Sequence, residues 1–194
     1  GLSTAQVAVL TTAQAPYLSS SLLNALSSTQ LRAITTQDIA ALTTAQAQAL
    51  STTTLNRLTS SQMQAISTTD IQNLTSSQLV GLSSGQIVAL KTDQFVALNS
   101  SQTAVLTTNA IPALSYDQLK VINFADWPSQ ILASQLQAIS TTQLATLTAT
   151  RDKSLGNQIE YFTSAQIGAL ATSFVPKLNS VALGALTTSQ VPGL

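Results

Sequence analysis

A period of eight residues runs through almost the whole chain. In the stretch "LTTAQAQALSTTTLNRLTSSQMQAIS", Leu42 to Ser67, one phrase is repeated: a leucine or isoleucine, two or three small hydroxyl residues, often a glutamine, an apolar residue, then alanine. With the frame set at Leu2, position one falls on Leu or Ile at every eighth residue from Leu2 to Ile122. One residue is added in "INFADWPSQ", and the frame resumes at Ile131. One residue is lost in "LGNQIEY", and it resumes again at Phe162. Self-similarity of this kind is the mark of a solenoid array, in which each unit buries its apolar face only against its neighbours.

Eight residues suit neither a strand nor a continuous helix. The apolar positions are one, six and eight. A pleat would send position one to the face opposite the other two. In an unbroken helix each octad turns through about 800°, so the apolar stripe would rotate by about 80° per repeat and no partner could follow it. The helix must break once per octad. Position two is Ser or Thr in 17 of 24 units, and position five is Gln in 14. A hydroxyl followed three residues later by Gln is a capping box, and the apolar residues at positions one and six form the matching hydrophobic staple. All five prolines, Pro16, Pro112, Pro128, Pro176 and Pro192, fall at position seven. Proline lacks an N–H and disfavours α conformation in the residue before it. The spacing therefore predicts about one turn of helix over positions three to six.

The expected fold is all-α: a solenoid of very short capped helices, one per octad, over residues 1–194, with irregular units at 122–130 and 147–161. Leu at position one, the position-six residue and Ala at position eight are expected to line the inside. Ser, Thr, Gln and position seven are expected to face water.

Composition narrows the function classes. Seven basic and seven acidic residues cancel, and charged residues make up 7% of the chain, far below the usual quarter. Nothing here attracts nucleic acid over distance. Without Cys or His, disulfides, thiol chemistry and the commonest general base are excluded. No apolar run approaches the 18 residues of a membrane span, so no membrane insertion is expected. The chain begins at Gly1 without a signal peptide, which suggests a processed product or an excised segment.

The units "LTSSQLVG", "LSSGQIVA" and "FTSAQIGA" resemble the "LTTAQIAAL" octapeptide tracts of very long secreted or surface-associated bacterial proteins of adhesin-like or matrix-like type. The resemblance covers nearly the whole chain. It implies an architecture and an extracellular or cell-surface location, and carries over no binding residue. The "LTTAQ" opening is also similar to that of plant-pathogen DNA-binding effector repeats, but those units are longer and basic, which this chain is not.

Four features invite a functional reading. The rows of Ser and Thr could match a repetitive surface such as a sugar polymer, although capping accounts for them structurally. Tyr116, Asp117, Phe124, Asp126 and Trp127 gather around the first slip. Aromatic rings with carboxylates can stack on and hydrogen-bond a carbohydrate, while Trp127 at position six also suits a core anchor. Arg151, Asp152, Lys153 and Glu160 form the densest charge, either a partner contact or a solvated bulge. The array also starts and stops in phase. Leu2, Val7 and Val9 at one end and Leu186, Val191 and Leu194 at the other are expected to expose apolar edges that meet neighbouring repeats or copies of the chain head-to-tail. No constellation for catalysis, cofactor or metal binding is evident. The expectation is a non-enzymatic structural or adhesive repeat protein.

Overall fold

The computed structural model describes residues 1–122, 132–150 and 158–190. They divide into two compact units, residues 1–105 and residues 106–194. Every regular element among the described residues is helical, and the helices are short, one per octad in the regular region.

The cap at position two starts each helix. Thr43 has extended backbone (φ −77°, ψ 156°) and its hydroxyl accepts the N–H of Gln46, while the Gln46 side chain accepts the N–H of Thr43. The same reciprocal pair forms at Ser27 with Gln30, Thr59 with Gln62, Thr75 with Gln78, Ser83 with Gln86 and Thr163 with Gln166. At Lys91 and Leu132 the side chain has no oxygen to offer. Only the glutamine half of the box remains there, with Lys91 N–H donating to Gln94 (2.8 Å) and Leu132 N–H to Gln135 (2.7 Å). Position one then returns to extended backbone, as at Leu50 (φ −65°, ψ 131°), and makes the corner into the next octad.

The helices are longer than the spacing predicts. Thr44–Ala49, Thr52–Arg57 and Ser60–Ala65 run from position three to position eight. Proline at position seven changes the element. In octads containing Pro16, Pro112 and Pro176, the helix is replaced by a turn and a 3-10 segment: Ala15–Tyr17, Ile111–Ala113 and Val175–Lys177. The first i to i−4 bond, from the position-six N–H to the position-two carbonyl, survives there, as from Ala15 to Thr11 (3.0 Å), but the next one needs the position-seven N–H, which proline lacks. Thr11 and Thr107 consequently open these octads without being helix caps.

Within residues 1–105, helices pack on those three octads away. Thr36–Ala40 lies against Ser60–Ala65, and Thr44–Ala49 against Thr68–Asn73. The interior consists of positions one, five and six. Position six supplies Leu55, Met63, Ile71, Leu79 and Ile87, all fully buried, and position one supplies Leu58, Ile66, Leu74 and Leu82. Burying each such side chain is worth about 1.5–3 kcal/mol. Helices this short would not persist without that packing.

Two expectations about sidedness are overturned. Ala at position eight does not line the inside: Ala41, Ala65, Ala89 and Ala97 are half-buried, and Ala49 is exposed. Gln at position five does not face water: Gln46, Gln62, Gln78, Gln86, Gln94 and Gln102 are all buried. The reason is that both ends of each amide are bonded, the oxygen locally and the nitrogen across the turn.

The described residues of the second unit follow the same scheme, with a departure at the helix after Ser140. The helix Thr141–Thr150 runs through the octad boundary at Leu147. Thr148, which should cap the next octad, instead donates its hydroxyl back to the carbonyl of Leu144 (2.8 Å). That i−4 bond belongs to a helix interior.

Candidate functional site

The most regular polar arrangement in the molecule is the row of glutamine amides that joins successive turns. Gln46 Nε2 donates to the carbonyl oxygens of Ala15 (2.9 Å) and Leu18 (2.6 Å). Gln62 does the same to Leu31 (2.7 Å) and Ile34 (2.8 Å). Gln78 reaches Ala47 (3.0 Å) and Leu50 (2.8 Å), Gln94 reaches Met63 (2.9 Å) and Ile66 (2.8 Å), and Gln102 reaches Ile71 (2.9 Å) and Leu74 (2.8 Å). In the second unit, Gln166 takes Leu136 (2.9 Å) and Ile139 (2.7 Å), and Gln190 takes Ile159 (2.8 Å) and Phe162 (2.6 Å). These acceptors are position six, four octads back, and position one, three octads back; some amides also reach the position-seven carbonyl between them, as Gln78 reaches Gln48 (3.2 Å) and Gln102 reaches Gln72 (3.1 Å). Because helices pack at three octads and amides reach four, one turn of the winding takes between three and four octads.

Residues that break the motif are compensated from the neighbouring turn. Octad Leu50–Arg57 has Thr54 where Gln is expected. Asn24, four octads earlier, accepts the N–H of Ser51 (2.8 Å) and the hydroxyl of Thr54 (2.8 Å), and donates to Ala49 (2.8 Å). Arg57 donates to the carbonyl of Leu26 (3.2 Å), one of the two that a glutamine would have used. Likewise Phe174 occupies position five of its octad, and Thr148 accepts the N–H of Ala171 (3.1 Å) in place of a glutamine oxygen. A second polar row lies outside the first. Gln48 donates to Asn73 (3.1 Å) and Gln64 to Ala89 (2.9 Å), each from position seven to position eight three octads on.

Of the residues gathered around the first slip, Phe124, Asp126 and Trp127 lie outside the described residues. Tyr116 and Asp117 open the helix Tyr116–Val121, capped by Ser115. Asp117 pairs with Lys120 (2.5 Å), whose ammonium stands 5.5 Å from the centre of the Tyr116 ring. The hydrogen bond that Lys120 donates to Asp117, and then the carboxylate's charge, raise the Lys120 pKa above the ordinary lysine value. Both partners are well exposed, and such pairs contribute little to stability. Tyr116, Leu119, Thr142, Gln143 and Thr146 line a small hollow of about 110 Å³. Arg151, Asp152 and Lys153 also lie outside the described residues. Glu160 is exposed beside a larger, open hollow with Gln137, Thr163 and Gln190.

The end residues divide. Val9 is 75% exposed, whereas Val7 is completely buried, because the helix Ser28–Ala33 covers position six of the first octad. The expectation that Val7 forms an open edge is therefore corrected. Leu2 and Leu186 are half-buried, and Val191 and Leu194 lie outside the described residues. Among the described residues no group of acidic, His or Cys side chains could hold a metal ion, and no helix is long and apolar enough to cross a membrane.

The sequence pattern held the signal for the glutamine row, since 14 of 24 units carry Gln at position five. It was legible as a capping partner only, because the second bond is to a residue about four octads away.

Short capped helices repeated every eight residues and tied to those three octads away make this an α-helical repeat protein. Its tract resembles a known family, the ALTTAQ repeat, which matches residues 23–52, 63–100 and 71–108. No curated protein and no solved structure matches the chain.

Proposed function

We propose that the chain is a non-enzymatic structural segment, a spacer or filament-forming part of an extracellular bacterial surface or matrix protein. The interturn glutamine row carries this reading. Each amide ties its turn to the one before through backbone carbonyls that every residue type possesses, so the array can be prolonged without new chemistry. The near absence of charge and the hydroxyl-rich exterior suit a segment that separates other parts. A solenoid held only by nearest-neighbour contacts gives way unit by unit. Stretching the chain between two handles should release about 100 Å per turn of three to four octads, in successive steps, at about 3.5 Å per residue. One rupture of the whole length would oppose the spacer reading. Antibody labelling of intact, unpermeabilised cells that produce the protein tests the location: staining only after permeabilisation would oppose it.

The hollow beside Tyr116 supports a second reading, a carbohydrate contact. An aromatic ring edged by Thr142 and Thr146 offers a stacking face with hydroxyls beside it. Titration of polysaccharide fragments against Tyr116→Ala and unaltered chain separates the two. Equal binding or none removes the carbohydrate reading.

A further inference from the structure

The outer row of amides has a gap in the middle of the first unit. From position seven, Asn24 donates to the carbonyl of Ala49 (2.8 Å), Gln48 to that of Asn73 (3.1 Å), Asn56 to that of Gly81, and Gln64 to that of Ala89 (2.9 Å). Each reaches position eight, three octads on. Ala40 holds position seven of the octad that opens at Ile34, and its methyl has nothing to donate. By the same offset its counterpart is Ala65, and among the described residues no side chain donates to the Ala65 carbonyl. Where a long amide lies in the neighbouring columns, these two alanines line an open hollow of about 380 Å³.

The rim of the hollow is polar. Thr36, Gln37 and Ser61 edge it, all exposed, and Lys91 joins them from four octads beyond Ser61. Lys91 occupies position two, where most octads carry a capping hydroxyl, and its side chain makes no cap bond. The helix keeps the other half of its box through the Lys91 N–H and Gln94 (2.8 Å), so the ammonium is not engaged in capping. Among the described residues the ion pair is Lys120 with Asp117, and Lys91 has none. Asp93, the acid nearest in sequence, accepts the N–H of Gln94 (2.9 Å) and is not part of the lining.

We infer that this hollow holds one anionic sugar unit of an acidic polysaccharide. The surface offers an unbridged carbonyl, hydroxyls that both donate and accept, a side-chain amide and one cation. It has no aromatic ring and no large apolar side chain that would anchor an apolar ligand. A ring hydroxyl donates to the Ala65 carbonyl in place of the missing amide, and the hydroxyls of Thr36 and Ser61 take its neighbours. The methyls of Ala40 and Ala65 meet the C–H face of the ring. The acid group, carboxylate or sulfate, pairs with the Lys91 ammonium in a charge-assisted bond. The site is separate from the hollow beside Tyr116 and does not depend on the spacer reading.

Titration calorimetry on the full 194-residue chain tests it with oligogalacturonate, dextran sulfate and neutral dextran. The unaltered chain should bind at least one acidic probe, and neutral dextran about tenfold or more less tightly, the factor for losing one hydrogen bond to a charged group. Lys91→Gln, at an exposed site, should weaken the acidic probe by a similar factor. Ala40→Gln should fill the hollow and restore the row, weakening the probe at least as much while urea unfolding shows no loss of stability. Tyr116→Ala should bind as the unaltered chain does. The acidic probe that binds more tightly names the acid group. Failure to bind either acidic probe would overturn the inference, as would equal binding of neutral dextran, or binding by Lys91→Gln and Ala40→Gln that matches the unaltered chain. Binding lost in Tyr116→Ala and kept in Lys91→Gln would also overturn it, and would place the sugar at the other hollow.

Discussion

Glutamine at position five serves two masters, and its cost of removal separates them. Gln78 accepts the N–H of Thr75 and donates to three carbonyls of the preceding turn. Gln78→Ala should therefore cost about 2–3 kcal/mol, because buried acceptors lose their donor as well as the cap losing its partner. Gln6→Ala removes only the local half and should cost less than about 1 kcal/mol. Urea unfolding of both variants measures the contrast. Equal losses would mean that the interturn bonds contribute nothing. The cap alone is tested by Thr43→Ala, expected at about 1 kcal/mol. Asp38 gives the opposite case. It is buried and accepts the Thr35 hydroxyl (2.6 Å), but it is too short and too poor a donor to serve the carbonyls of Val7 and Leu10. Asp38→Gln should stabilise the chain by about 1 kcal/mol, and a loss of stability would argue against the register of the row.

At the scale of one element, the octads that break the motif are the informative ones. The helix Thr52–Arg57 lacks the position-five glutamine, and Asn24 from another turn holds its cap. Asn24→Ala should cost about 2 kcal/mol in the unaltered chain, since the N–H of Ser51 and the hydroxyl of Thr54 both lose their acceptor. In a Thr54→Gln background the restored capping box supplies that acceptor, and the loss should fall by about 1 kcal/mol or more. A double-mutant cycle reads this coupling directly. Additive losses would show that Asn24 and Thr54 do not share the work. The next turn meets the same helix at Gly81. A Cβ there would lie 2.7 Å from Thr52 Cγ2 and 2.8 Å from its Cβ. Gly81→Ala should cost about 1–3 kcal/mol through overpacking, checked by thermal unfolding. The glycine is required by close approach of two turns, for its φ of −76° is open to any residue.

For the molecule as a whole, the consequence is modular stability. Because each turn contacts only the turns before and after it, deleting octads from the carboxyl end should lower the unfolding midpoint in steps and leave the remaining helical signal per residue unchanged. Collapse of all helical signal on removing two octads would indicate a closed core instead.

The sequence by itself determined the period, the cap at position two, the helix in each octad and the break between them. These depend on bonds spanning three or four residues, which a string of residues displays directly. It misplaced glutamine outside and alanine inside, because burial is decided by what lies three and four octads away. Amphipathic side chains such as Gln can occupy either place until their second partner is known. Only the tertiary structure decided the winding of between three and four octads per turn, the donation of each amide to carbonyls some 30 residues earlier, and the rescue of Ser51 by Asn24. Those contacts depend on how far the corner at position one rotates each helix from the last, and that angle is set by packing many units together.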